Sequence, residues 1–243
     1  MSWLFKNNKL ADLSDVKTDI HSHLIPGVDD GAENMNESIR LISQLKELGY
    51  RKLILTPHVR YGSFDNDTST FDKRLEDVKD AIHEEGINIE LEVGAEQTID
   101  EGFEEHFKKG ELKHFGKHKY LLIEFPFISV PAYIKDLIFN LQISGYRLIL
   151  AHPERYLYLP TEPELIEHLH NAGVLFQLNI LSLIGFYDRP TQKFAEKLIE
   201  NGKIDLIGTD LHHQSHIDGI KEALKNKYLI NLIESKRLKN NMF

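Results

Sequence analysis

Five histidines and three acidic residues close short apolar runs in this chain. His21 and His23 end Thr18-Asp-Ile-His21-Ser-His23, and His58 ends Leu53-Ile-Leu-Thr-Pro-His58. Glu96 ends Leu91-Glu-Val-Gly-Ala-Glu96, Glu124 ends Leu121-Leu-Ile-Glu124, and His152 ends Leu148-Ile-Leu-Ala-His152. Asp210 and His212 end Leu206-Ile-Gly-Thr-Asp210-Leu-His212. A further run, Leu175-Phe-Gln-Leu-Asn179, ends in an amide and brings no ligand. Imidazole nitrogens mixed with carboxylate oxygens suit Mn, Fe or Zn rather than Ca or a thiolate-held metal. Eight such groups exceed what one ion can use, which implies two or three divalent ions. His21 and His23 stand two apart, so on an extended chain both rings point the same way. Glu124 sits between Leu121-Leu-Ile and Phe125-Pro, where an unpaired carboxylate would be costly. A metal would supply its countercharge; the alternative is an ion pair with Arg or Lys, of which the runs hold few.

These residues can act together only if the runs meet. A short apolar run bounded by turn residues reads as a buried parallel strand. Helical segments are expected between them at 33–49, 71–86, 99–109, 131–144, 162–172, 190–201 and 217–235. The first two carry apolar residues at helical spacing and stop at Gly49 and Gly86. Pro131, Pro163 and Pro190 stand where a first helical turn would begin. Seven strand–helix repeats without a linker imply parallel strands with right-handed crossovers. An open sheet gathers ligands at one switch point, whereas a barrel collects them from many strand ends. The distribution of polar residues favours a single α/β domain built as a (β/α)7 TIM-like barrel over 17–243, with 1–16 as an N-terminal extension. Loops 59–68, 126–130 and 180–189 would form the rim. The other histidines, His83, His106, His114, His118, His168, His170, His213 and His216, fall in helical or polar stretches and are expected at the surface.

Composition narrows the classes. The chain has 243 residues, 41% hydrophobic and 28% charged, as in an ordinary soluble domain. It has no Cys, which excludes a disulfide framework and a thiolate nucleophile and fits a reducing, cytoplasmic setting. The first residues lack a signal-peptide core, and no stretch reaches the ~20 apolar residues needed to span a bilayer. A net charge of −9 argues against general nucleic-acid binding. It leaves room for a phosphorylated substrate, because bound ions would reverse the local sign.

The stretch His21-Ser-His23-Leu-Ile-Pro-Gly-Val-Asp-Asp30-Gly-Ala is followed by Thr56-Pro-His58, Gly94-Ala-Glu96, Ile123-Glu124-Phe, Ala151-His152-Pro-Glu-Arg155-Tyr and Gly208-Thr-Asp210-Leu-His212. Together they resemble the PHP (polymerase and histidinol phosphatase) superfamily, and within it the metal-dependent bacterial tyrosine-protein phosphatases of capsule and exopolysaccharide clusters. The resemblance spans about residues 17–215. It implies a distorted (β/α)7 barrel with a trinuclear site filled by Mn, Fe, Zn or Mg. The implied ligands are His21, His23, Asp30, His58, Glu96, Glu124, His152, Asp210 and His212, with Glu96 bridging two ions. Asp30 enters by resemblance alone, since spacing does not separate it from Asp29. Arg155 matches the arginine that would hold substrate phosphate, for which its planar fork is suited.

The reaction expected is hydrolysis of a phosphomonoester, phosphotyrosine on a protein, by water that bound ions make acidic. A bacterial tyrosine kinase is the implied partner, and a homo-oligomer is compatible with the sequence. The phenolate leaving group has a pKa near ~10 and needs little acid help. Asp210 and His212 are the candidate proton donors, although a metal-tied residue donates poorly, and the general acid stays open. The rival readings are a small-molecule phosphatase of the histidinol-phosphate or sugar-phosphate type, a nuclease or phosphodiesterase, and a metal-binding scaffold. One departure from the family is plain: His212-His-Gln-Ser-His216-Ile-Asp-Gly219 lacks the arginine expected there. Arg60, Arg189 or a nearby histidine are the candidates to replace it.

Overall fold

In a computed structural model, residues 9–243 are described; residues 1–8 of the expected extension lie outside them. The apolar runs form parallel strands: β1 (Thr18–Asp19), β2 (Lys52–Leu55), β3 (His58–Val59), β4 (Glu90–Val93), β5 (Glu96–Thr98), β6 (Tyr120–Glu124), β7 (Arg147–Ala151), β8 (Leu175–Asn179) and β9 (Leu206–Gly208). The seven expected strands thus appear as nine, because the second and third runs each break in the middle. Pro57 has no N–H for a ladder, so the second run parts into β2 and β3. In the third run the break falls at Gly94, where a Cβ would lie 2.5 Å from the Phe115 ring. The ladder bends there but continues, with Gly94 N–H donating to Leu55 O (2.9 Å) and Glu96 N–H to Pro57 O (3.1 Å).

The pairing order is β1-β2-β4 in one sheet and β3-β5-β6-β7-β8-β9 in the other. Since β2 and β3 belong to one run, and β4 and β5 to the next, the seven runs neighbour one another in sequence order. Last and first also meet. Asp210 N–H donates to His21 O (2.8 Å) and His23 N–H to Leu211 O (2.9 Å). The runs therefore close into a ring of parallel strands, as the barrel reading requires, and all their carboxyl ends share one face.

Side chains alternate across the wall. Ile20, Ile54, Leu122, Ile149 and Leu206 point inward and are fully buried; Phe115 and Tyr120 are buried with them and partly buried Phe243 packs against them at the lower end. Their neighbours Leu53, Leu55, Leu121, Ile123, Leu148, Leu150 and Ile207 point outward into the larger core under the helices. The helices are α1 (Met35–Glu47), α2 (Phe71–Glu84), α3 (Phe103–Lys109), α4 (Ile134–Ile143), α5 (Pro163–Asn171), α6 (Arg189–Glu200), α7 (Gln214–Ala223) and α8 (Lys227–Glu234). The single helix expected over 217–235 is thus two. Asn226 is extended and its side chain accepts from Tyr228 N–H, a cap that starts a new helix. The helix expected from 131 begins at Ile134, so Pro131 lies in the turn before it. Of the extension, Leu13 and Val16 are buried in the outer core, and Ala11 N–H donates to Leu224 O (2.7 Å).

The closing seam has a second fastening. The Asn240 side chain accepts from Ile207 N–H (3.0 Å) and donates to Ile207 O (2.7 Å) and Thr18 O (2.9 Å), tying β9 to β1. Asn240→Ala would leave three buried backbone groups without partners. We expect a loss of about 2–3 kcal/mol in equilibrium urea unfolding, and an unchanged midpoint would show that the seam holds without it.

Candidate metal centre

At the carboxyl face of the barrel, Glu96 is fully buried and ringed by imidazoles. Its Oε2 lies 3.2 Å from His21 Nε2, 3.4 Å from His23 Nε2 and 3.0 Å from His58 Nδ1. Its Oε1 lies 2.9 Å from His152 Nε2. Asp210 stands opposite, with Oδ1 3.3 Å from His21 Nε2 and 3.2 Å from His23 Nε2. Asp30 Oδ1 lies 3.4 Å from His212 Nε2 and 3.6 Å from His58 Nε2. Glu124 Oε1 lies 3.7 Å from His152 Nε2.

These donors fall into three groups whose ligand atoms lie within 4.8 Å of one another: His21, His23, Glu96 and Asp210; His23, Asp30, His58 and His212; His58, Glu96 and Glu124. The nine residues expected as ligands are thus brought together, His152 through Glu96. Buried Glu96 Oε2 and His58 Nδ1 have no hydrogen-bond partner. Such orphaned polar atoms are rare in a folded interior. A cation bound by both atoms would satisfy them, so the donor set fits divalent metal.

The electrostatics agree. Burial disfavours the charged forms, but the carboxylates of Glu96 and Asp210 overcome it and lift His21 to about 9. His23 rises too, against burial, through Asp29 and Asp210. Reciprocally, the imidazoles hold buried Glu96 and Asp210 well below the usual carboxylate range. A pocket in which acids stay ionised and bases attract charge is one built to hold cations.

Several residues orient the ligands, and spacing gave no sign of them. His23 Nδ1–H donates to Asp29 Oδ2 (2.8 Å), and the same oxygen accepts from His58 N–H (2.9 Å). His21 Nδ1–H donates to Gln177 Oε1 (2.9 Å) and His212 Nδ1–H to Asp210 O (2.9 Å). Each bond leaves an Nε2 free for metal. The two aspartates that spacing could not separate thus part by burial: the Asp29 side chain is wholly covered, while that of Asp30 is 60% exposed and faces His212 and His58. Gly208 lets His21 and Gln177 meet, since a Cβ there would lie 2.6 Å from Gln177 Nε2 and 2.9 Å from His21 Cβ. His152 and Asp210 take left-handed backbone (φ 30° and 49°), which non-glycine residues adopt at a cost of about 1–3 kcal/mol and mostly at functional sites.

Asn179, read as idle, is part of the site: its Nδ2 donates to Asp210 Oδ2 (2.8 Å) and bonds Tyr187 Oη (2.8 Å). Arg155 Nη1 donates to the same carboxylate oxygen (2.9 Å). The Arg155 guanidinium also lies over the Tyr187 ring (4.3 Å) and the Phe127 ring (5.0 Å). Glu124 has the ion pair weighed as the alternative countercharge, because Oε2 bonds Arg60 Nη2 and also accepts from Thr98 Oγ1, while Oε1 faces His152. One histidine is misplaced by the sequence reading. His216 is buried, its ring against Phe186 and its Nδ1 at the Asp210–His212 backbone. Burial and the nearby His213 and His212 push it down to about 4, so it sits as a neutral ring. His83, His118, His168 and His213 are exposed as expected, while His106, His114 and His170 are half-covered.

Asp29→Ala removes the partner of the His23 ring while leaving every ligand in place. A fall in metal affinity of about 10- to 100-fold is expected from a chelator competition titration; an affinity equal to that of the unaltered protein would show that His23 needs no such support.

The chain resembles known proteins along most of its length. Residues 17–235 match the family model for capsular polysaccharide synthesis, CpsB/CapC. The tyrosine-protein phosphatase YwqE of Bacillus subtilis is 32% identical over 195 residues, 80% of this chain and 77% of that protein. The putative tyrosine-protein phosphatase CapC of Staphylococcus aureus is 32% identical over 194 residues, 80% of this chain and 76% of that protein. A crystal structure from work on YwqE of B. subtilis and CpsB of Streptococcus pneumoniae, described as metal-dependent tyrosine phosphatases, superposes with a TM-score of 0.79 at 30% identity, covering 89% of this chain and 90% of that one. A histidinol phosphate phosphatase from Lactococcus lactis shares the fold at a TM-score of 0.55 and 13% identity, covering 86% of this chain and 92% of that one. With its closed ring of parallel strands, its convergent donor set and a family match over nearly the whole barrel, this chain belongs to the CpsB/CapC family of capsular polysaccharide synthesis.

Proposed function

We propose that this protein is a metal-dependent phosphomonoester hydrolase that removes phosphate from phosphotyrosine in proteins. The observation that carries the reading is the convergence of nine histidine and carboxylate side chains beside a partly exposed arginine. In support, the similar proteins YwqE and CpsB are named as tyrosine phosphatases. We assign the ligand role to His21, His23, Asp30, His58, Glu96, Glu124, His152, Asp210 and His212, holding two or three divalent ions, with Mn as first choice. Bound there, the ions supply an acidified water and positive charge for a phosphoryl group. The working unit is residues 17–243, the setting is the cytoplasm, and the substrate is a tyrosine kinase that acts in polysaccharide export. No described helix is long and apolar enough to cross a membrane.

The protein's own residues divide the remaining work. The Arg155 guanidinium is held in place over the Phe127 and Tyr187 rings and anchored through Nη1 to Asp210, which leaves further N–H groups for the non-bridging phosphate oxygens. Asn179 and Arg155 share Asp210 Oδ2, so its Oδ1 stays turned toward His21 and His23. A phenolate leaving group is stable enough to depart with little proton donation, which matches a site where the imidazoles hold Glu96 and Asp210 ionised. With no Cys in the chain, a phosphocysteine intermediate is excluded.

Mn-loaded protein should hydrolyse a phosphotyrosine peptide in preference to histidinol phosphate or a phosphodiester. Activity that survives exhaustive chelation would sink the reading, and preference for histidinol phosphate would move it to the small-molecule class. Arg155→Ala should keep its metal content yet lose about 10- to 100-fold in kcat/KM, as expected for a lost charge-assisted contact; unaltered kinetics would take Arg155 out of the site.

A further inference from the structure

The arginine missing after His212 leaves one charged contact to phosphate unassigned, and the structure discriminates among the replacements. Arg189 lies exposed in the first turn of α6, bonded to Gln192 Oε1 (2.6 Å). His213 is exposed and bonded to Ser215 Oγ (2.8 Å). His216 is buried against backbone. Arg60 is different in each respect. It lies two residues after His58, in a turn pinned at both ends: Arg60 N–H donates to Phe64 O (3.0 Å) and Phe64 N–H to Arg60 O (2.8 Å). The Phe64 ring stacks on His58 (5.3 Å, 9°), and Asn66 Nδ2 donates to His58 O (2.8 Å).

The guanidinium is held along one edge only. Nε donates to Thr98 Oγ1 (3.2 Å) and Nη2 to Glu124 Oε2. Of the five N–H donors of an arginine, three have no partner among the described residues, and the side chain is 32% exposed. Arg155 is built the same way: one bond to a ligand carboxylate, spare donors, 25% exposure. Arg155 attaches to Asp210, in the donor group with His21 and His23. Arg60 attaches to Glu124, in the group with His58. The two groups share Glu96.

We infer that Arg60 is the second phosphate-binding arginine, gripping the phosphoryl group from the Glu124 side while Arg155 grips it from the Asp210 side. This rests on the phosphatase reading above. Glu124 and Thr98 hold the fork before substrate arrives, so little rotamer entropy is lost on binding. No bond to Arg60 forms or breaks; it orients phosphate and offsets its charge.

The test is calorimetric titration of Mn-loaded protein with inorganic phosphate, alongside steady-state kinetics on an aryl phosphate and metal analysis. Arg60→Ala should keep its metal, bind phosphate about 10- to 100-fold more weakly and raise KM in parallel. Arg60→Lys, which keeps the charge beside Glu124 but not the fork, should recover only part of that loss. Phosphate affinity within about twofold of the unaltered protein would overturn the assignment. So would loss of metal in both variants, since Arg60 would then serve only to neutralise Glu124. If the unaltered protein binds phosphate and hydrolyses no ester, the phosphatase reading fails while the Arg60 comparison still stands on binding; if it binds no phosphate, both fall.

Discussion

Glu96 is a carboxylate with no access to water, and it stays ionised only because four imidazoles face it. An isolated charge in such a place would cost several kcal/mol. His21, His23, His58 and His152 come from three different runs, so each must be delivered to within about 3 Å of the same two oxygens. That demand explains much of the surrounding construction. Asp29 and Gln177 exist at their positions to turn rings, Gly208 to let two side chains meet, and His152 and Asp210 accept unfavourable backbone to reach inward.

Ring closure makes this convergence geometrically available. A strand end in an open sheet meets two neighbours, whereas strand ends in a closed ring all face a common axis. Closure here depends on short backbone bonds between His21-Ser-His23 and Asp210-Leu211, the same segments that carry three of the candidate ligands. Seam and site are therefore one structure. The apolar layer below, Ile20, Ile54, Leu122, Ile149 and Leu206, is fully buried and lowers the local dielectric beneath the site, which strengthens the charge interactions above it.

The two arginines complete the electrostatic pattern. The chain as a whole carries a charge of −9, yet Arg60 and Arg155 stand beside the ligand carboxylates with donors to spare. The site itself gathers four carboxylates, so the two arginines offset part of their charge and keep donors for an anionic group, while the net negative chain disfavours anions elsewhere.

Much of this was legible beforehand, for a physical reason: a buried strand must be apolar, so a His or carboxylate at its end stands out against its surroundings, as at Leu148-Ile-Leu-Ala-His152. The strand–helix alternation and the parallel ring follow from the same patterning, which also picks out the eight histidines and acids that the ring brings to one face; the family resemblance added Asp30 to them. Residues that act through others were silent. Asp29, Gln177, Asn179 and Thr98 stand beside or between the candidate ligands without a spacing of their own, and their partners are up to 156 residues away in sequence. Nor could composition tell that His216 is buried, since a neutral imidazole packs as readily in a core as on a surface. Residue types and run lengths determined what chemistry the chain could hold. Only the closing of the ring decided which groups touch, because hydrogen bonds and ion pairs depend on distances of a few ångströms that a linear order of residues does not carry.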